Sequence, residues 1–328
     1  MAPRIVTLTL NPAVDLACKA PEVRPTHKIR TFDERFDPGG GGINVARVAH
    51  VLGGDALALV MTGGATGRLV EELLDESGVK WQALPIRGRN RISLNVHDQQ
   101  SGLEYRFVPE GPTVADDEWH AALKILEQID ADWVVASGSL PPGVPADFYA
   151  RAAAIATRRG QKFVLDTSGA ALLVSVGHGI ELLKLSLREL ESLVGRPLRD
   201  VQSQEMEIAL LSRAGSARMI AVSLGADGAI LGTSDGITRL PAMPVRMLGT
   251  VGAGDSFLAG LVLGLARGLS DRHALAFALA AGAGAVETYG TARVQREDVE
   301  AIYQNWCCGE AEQTTGDAVE THPVDRPL

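Results

Sequence analysis

Cysteine is scarce in this chain. Its three cysteines, Cys18, Cys307 and Cys308, are odd in number and lack the paired spacing of a metal site, which excludes a disulfide framework and a cysteine-held zinc. They read as free thiols suited to a reducing cytoplasm. Aromatic residues make up only 5%, which speaks against barrels and sandwiches that carry rows of exposed rings. Basic residues are outnumbered, and a net charge of -9 excludes the broad basic face that a nucleic-acid partner needs. Long apolar runs are also missing. The run after Arg4 is interrupted by Asn11, Pro12 and Asp15, so no signal peptide is expected, and the stretch from Ala274 to Val286 is glycine-rich and shorter than the ~20 residues of a membrane span. No nucleic acid and no membrane are expected as partners. Neither the glycine-lysine phosphate loop nor the dinucleotide fingerprint occurs.

What is present is a chain of 328 residues, 46% hydrophobic, with 36 glycines. That is enough for one large domain with a full core, and the glycines suit the tight strand-to-helix turns of an α/β enzyme. Ile5 to Leu10 reads as a first buried strand stopped by Asn11-Pro12, and Ala56 to Met61 as another, followed by a helix from Arg68 to Ser77. From Trp133 onward strands and helices alternate: Trp133–Ser137, a helix over Asp147 to Arg159, Phe163–Leu165, Leu182–Leu185, a helix to Val194, then Met219–Ser223 and Ala229–Gly232. This alternation predicts an α/β, doubly wound, mostly parallel sheet with ligands at the carboxyl ends of its strands. The stretches at about 16–37 and 88–108 differ, alternating in polarity as strands covered on one side do, and Arg91–His97 with Glu104–Val108 reads as a hairpin. Residues 1–305 are therefore expected to form one domain and 306–328 a flexible acidic tail.

Two glycine clusters carry the chemistry. Thr250-Val251-Gly252-Ala253-Gly254-Asp255 precedes Phe257, Leu258, Leu261, Val262 and Leu265 at helical spacing, so it opens a helix whose bare N–H groups favour an anion. A carboxylate beside such a site is electrostatically costly unless it works, and Asp255 is suited to act as general base toward a sugar hydroxyl. Aspartate is also a favoured helix cap, and the local residues leave both roles open. Gly39 to Gly42 run into a helix bearing Asn44, which fits a loop that lets a substrate touch the backbone better than it fits a linker. The hairpin carries Arg91 and Arg106, with Arg87 and Arg89 nearby, either as solvated charges or as a cluster for an anionic substrate.

Together these stretches resemble the ribokinase-like, or PfkB, family of carbohydrate kinases, in the branch that acts on phosphorylated ketohexoses. The quadruple glycine leading into Ile43-Asn44-Val45-Ala46 and the Gly-Ala-Gly-Asp at Gly252 to Asp255 are similar to the family's two signatures. Thr7 to Asp15 and Gly138-Ser139-Leu140-Pro141-Pro142-Gly143 are similar to the sugar-phosphate branch. The resemblance implies a ribokinase-like fold whose one-sided strands form a small β-sheet lid, and a homodimer paired through that lid. It makes Asp255 the catalytic base and Gly252, Ala253 and Gly254 the anion hole. Asp15, Gly40, Gly41 and Asn44 would hold sugar hydroxyls, and Lys28, Arg91, Arg106 and Ser139 the substrate's own phosphate. For ATP it implies Lys184, Ser186, Ser223, Gly225 and Thr250, with Glu189 reaching Mg2+ through water. Ser186 stands where the family branch usually has asparagine. A monovalent cation such as K+ is left open, since Ala292, beside Thr288 and Gly290, stands where an arginine would align. The implied reaction carries the γ-phosphoryl group of ATP to the 1-hydroxyl of fructose 6-phosphate. Fructose 1-phosphate and tagatose 6-phosphate are alternatives, and a sensor that kept the fold but lost the chemistry is a reading of another class.

Overall fold

The computed structural model describes residues 3–246, 249, 251–287 and 294–316, with the backbone alone for 310–316. In chain order the elements are β1 (Arg4–Thr9), β2 (Ala13–Ala20), β3 (Phe32–Gly39), α1 (Gly41–Val51), β4 (Asp55–Thr62), α2 (Gly64–Ser77), β5 (Lys80–Pro85), β6 (Arg91–Asp98) and β7 (Glu104–Phe107). The chain continues with α3 (Asp116–Leu126), β8 (Trp133–Ser137), α4 (Phe148–Arg158), β9 (Lys162–Asp166), α5 (Gly169–Ser175), β10 (Leu182–Ser186), α6 (Leu187–Val194) and α7 (Val201–Arg213). It ends with β11 (Met219–Ser223), β12 (Ala229–Thr233), β13 (Gly236–Leu240), α8 (Ala253–Ala266), α9 (Asp271–Val286) and α10 (Arg296–Gly316).

A nine-stranded sheet in the order β13-β12-β11-β10-β9-β8-β1-β4-β5 forms the body. From β5 through β11 all neighbours pair in parallel, while β12 and β13 finish the edge as antiparallel strands. Successive side chains of one strand enter different cores, as a strand covered on both faces requires. Ile5, Val60 and Val135 pack with α1, α8 and α9, whereas Val6, Leu59 and Val134 pack with α3, α4 and α5.

The second sheet has four strands in the order β3-β2-β6-β7, and it is the lid expected from the one-sided strands. Its pairing register gives it two unlike faces. Leu16 lies opposite both Phe36 and Leu94, and Leu94 opposite Phe107, so these apolar residues form one row. Asp15 lies opposite Asp37 and Ser93, and Asn95 opposite Arg106, on the polar side. Asp98 fixes the β6–β7 turn by accepting from the N–H groups of Gln100, at 2.9 Å, and Ser101.

One boundary differs from expectation. The tail was expected from 306, but α10 runs on to Gly316, and Trp306 packs against the core with its ring 5.4 Å edge-on from His273. The loss of regular apolar spacing after Tyr303 marks a helix with one buried stripe, not the helix end. No helix among the described residues is long and apolar enough to cross a membrane.

Candidate active site

The opening of α8 decides what Asp255 does. Gly252 sits at the N-cap with φ 82°, a left-handed conformation that costs glycine little, and no side chain caps the helix. Asp255 therefore does not serve as the cap. Its Oδ2 instead accepts a hydrogen bond of 2.8 Å from Asn44 Nδ2 on α1. Among the described residues no side chain caps the N–H groups of the first turn, around Ala253 and Gly254. Thr250 lies outside the described residues, as do Thr288, Gly290 and Ala292.

The quadruple glycine brings α1 against the main sheet. A Cβ on Gly41 would lie 2.1 Å from Ser137 Oγ at the end of β8, a separation that only a residue without a side chain tolerates. Gly40 accepts from the Asn44 N–H at 3.0 Å and so starts the helix that aims Asn44 at Asp255. From the lid's polar face comes Asp15, whose carboxyl group is pushed up to about 6 by burial, with Asp37 adding to it and Arg106, Arg91 and Ser93 opposing. Asp255 is likewise pushed up to about 6, first by burial and then by the charge of Asp166, against the Asn44 hydrogen bond and Lys184. Asp15 also raises it, so lid and body are in electrostatic contact across the site.

Below these groups lies a buried ion pair. Lys184 on β10 meets Asp166, the last residue of β9, at 3.2 Å, and Ser137 Oγ donates to the other oxygen of Asp166 at 3.2 Å. Burial works against the ammonium, but Asp166, Asp255 and Glu189 together hold it protonated above the ordinary lysine value. A Cβ on Gly254 would lie 3.2 Å from Lys184 Nζ, which puts this charge beside the start of α8. Asp166 and Ser137 were not singled out from the sequence. The available clue was an acid closing the apolar run Phe163–Leu165 at the carboxyl end of a parallel strand.

Ser186 and Glu189 form a capping box at α6: Ser186 Oγ accepts from the Glu189 N–H, while Glu189 Oε2 accepts from the Ser186 N–H and hydroxyl at 2.7 and 2.8 Å. Glu189 Oε1 has no hydrogen-bond partner among the described residues. Ser223 pairs with Ser186 across β10 and β11, and Gly225 follows it at φ 63°, so the three lie together at the carboxyl ends of these strands, although none lines the cavities described next. Gly41, Ser137, Ser139, Asp166, Lys184, Glu189 and Asp255 surround a cavity of about 280 Å3. A neighbouring cavity of about 490 Å3 shares Ser139 and reaches Arg91 and Pro109.

The basic cluster is less uniform than the sequence suggested. Arg87 is occupied by Asp117 and Glu118 of α3. Arg91 Nη1 and Nη2 donate to the carbonyls of Pro109 and Asn11 at 2.9 and 2.8 Å. Arg106 is exposed on the lid's polar face and acts electrostatically on Asp15. Lys28 is exposed in the segment between β2 and β3, and neither it nor Arg106 lines either cavity.

A doubly wound sheet with a β-lid, an open glycine-lined helix start and a carboxylate held beside it defines a carbohydrate kinase. The model of the pfkB family carbohydrate kinases matches residues 8–298, and the chain belongs to that family, with the ribokinase-like fold expected of it. It is 42% identical to the ATP-dependent 6-phosphofructokinase isozyme 2 of Mycobacterium tuberculosis (strain H37Rv), over 99% of this chain and 96% of that protein. It superposes on the crystal structure of phosphofructokinase-2 from Escherichia coli in complex with potassium at a TM-score of 0.89, with 36% identity, covering 92% of this chain and 99% of that one. The same E. coli enzyme in complex with fructose-6-phosphate gives a TM-score of 0.87 at 35% identity, with the same coverage of 92% and 99%.

Proposed function

We propose that this protein is an ATP-dependent kinase that phosphorylates the 1-hydroxyl of fructose 6-phosphate. The observation that carries this reading is the state of Asp255: held by Asn44 instead of capping its helix, with its carboxyl group raised to about 6 beside open backbone N–H groups. The sugar's hydroxyl oxygen attacks the γ-phosphorus, its proton passes to Asp255, and the bond to the β-phosphate breaks to release ADP. A base of this pKa is ionised at neutral pH yet accepts a proton readily. The N–H groups from Ala253 onward, together with Lys184, oppose the charge gathered on the transferring group.

Asp15 and Asn44, with the Gly40–Gly41 backbone, orient the sugar hydroxyls, and Arg106, Arg91 and Ser139 take the sugar's own phosphate. Ser186, Ser223 and Gly225 flank the nucleotide. Mg2+, when bound, offsets charge on the β- and γ-phosphates. Glu189 suits it through water, since one carboxylate oxygen is fixed by the cap and the other is uncommitted. Among the described residues no group of three or more His, Cys, Asp and Glu is placed to hold a metal ion. The enzyme pairs as a homodimer through the lid: Phe36, Ile92 and Phe107 on its apolar side are 46%, 46% and 57% exposed, a patch that a second lid would cover.

A panel of fructose 6-phosphate, tagatose 6-phosphate, fructose 1-phosphate and plain fructose, assayed by ADP release, tests the reading. The highest kcat/KM belongs to fructose 6-phosphate. A preference for plain fructose would overturn the assignment of Arg106 and Ser139.

A further inference from the structure

The chain passes between body and lid four times: at Leu10–Pro12, at Gly40, at Ile86–Asn90 and at Val108–Ala115. Two side chains lace three of these crossings together. Arg91, at the foot of the third, donates to carbonyls of the first and the fourth, Asn11 and Pro109. Asn11, 4% exposed at the end of β1, uses both hydrogens of its amide: one goes to the Glu110 carbonyl at 2.7 Å, the other to Ser139 Oγ at 3.3 Å. The fourth crossing is also tied to the loop that carries Ser139, by the Val114 N–H donating to the Pro142 carbonyl at 2.8 Å. Asn11 thus joins the lid's return crossing to Ser139 of the body.

Packing around this amide is close. Gly111 has φ 103°, and a Cβ there would lie 2.2 Å from Asn11 Oδ1. Two buried polar atoms here have no hydrogen-bond partner among the described residues, Asn11 Oδ1 and Arg91 Nε, and Arg91 and Ser139 line the 490 Å3 cavity together. Unsatisfied buried groups of this kind cost free energy, and such cost is tolerated where geometry serves function.

We propose that Asn11 is a positioning residue for the substrate's phosphate: it locks the lid's return crossing to Ser139, and so fixes the separation between Ser139 and Arg91. The inference rests on the reading that these two residues receive the sugar phosphate. Asn11 touches no reacting atom. It acts through the two groups it holds.

Steady-state kinetics of the full chain with Asn11→Ala and with the isosteric Asn11→Asp test this. The KM for fructose 6-phosphate rises about tenfold or more in both, while kcat and the KM for ATP stay within about threefold, the split expected when only binding of one group is lost. Adding Ser139→Ala to either variant changes the KM by no more than about twofold further, because the two residues act as one unit. An unchanged KM for fructose 6-phosphate, kcat and both KM values moving together, independent effects of Asn11 and Ser139, or failure of both variants to fold would each reduce Asn11 to a structural residue. Failure of the underlying reading looks different. In that case the unmodified enzyme does not prefer fructose 6-phosphate to plain fructose. If that preference exists and Arg106→Ala erases it while the Asn11 variants leave it intact, the latch alone is wrong.

Discussion

The main sheet and the lid sheet are built by opposite rules, and the site lies where they meet. Strands of the main sheet are covered on both faces, so Ile5 and Val6 are both buried although they point opposite ways. Strands of the lid are two-sided in chemistry: Leu16 is apolar and Asp15 charged on neighbouring positions of β2. The body supplies the ends of strands and helices, on which Asp255 is fixed by a hydrogen bond and Lys184 and Asp166 by their ion pair. In the proposed function the lid supplies specificity on one face and a surface for association on the other. That reading divides chemistry and choice of substrate between two structural units, and variants in each are expected to fail in different ways.

The largest effect is expected in the body. Asp255→Asn retains the acceptor for Asn44 but removes the base, so turnover falls ~10²–10⁴-fold while the KM for fructose 6-phosphate changes little. The same variant has a second signature. Because the folded pKa of Asp255 is raised from 3.8 to about 6, ionising it costs the native state stability as pH rises through that window. Asp255→Asn is then more stable than the parent at pH 8, by at most about 3 kcal/mol, and the difference vanishes below about pH 4. Thermal unfolding at both pH values checks it.

On the lid, Arg106→Ala should raise the KM for fructose 6-phosphate about 10- to 100-fold, the worth of one charge-assisted hydrogen bond, and leave turnover at saturation nearly intact. Loss of turnover instead of affinity would erase the division of labour. The smallest catalytic effect is expected from Phe107→Glu on the opposite face, which shifts sedimentation from dimer to monomer at micromolar concentration with folding retained. A dimer that survives this change and a like change at Phe36 would place the subunit contact elsewhere.

Legibility from the sequence followed the same division. Strands β8 and β11 were delimited to the residue, because a strand buried on both faces is a short β-branched and apolar run between turns. Elements near the surface were harder to see: β5, with Lys80 and Gln82, and α7, where Gln204 and Ile208 alone are buried, carry little periodic signal. Asp255 and Asn44 are 211 positions apart, and nothing in either local stretch shows that they meet. The resemblance between the two glycine motifs and a family brought them together, and the hydrogen bond supplies the physical reason. Asp166 escaped notice because a strand-end aspartate is common, and only its burial against Lys184 marks it out. Arg91, which the resemblance places at the substrate's phosphate, has much of its guanidinium committed to carbonyls at the lid crossings, contacts with groups distant in sequence that no local pattern shows.

The claim on which the rest depends is that Asp255 removes the sugar's proton with a pKa lifted by its surroundings. The pH dependence of kcat at saturating fructose 6-phosphate and ATP, compared between the parent enzyme and Asp15→Asn, tests it most directly, since kcat/KM also reports the second ionisation of the substrate's own phosphate near pH 6. Asp15 is also raised to about 6 and adds to the rise at Asp255, so removing it takes away one titrating carboxylate and lets Asp255 ionise at somewhat lower pH. The account predicts an acidic limb near pH 6 in the parent that persists, moved slightly to lower pH, in Asp15→Asn, with the rate falling about tenfold per pH unit below it. A rate that stays flat from pH 7 down to pH 5 in that variant would contradict it.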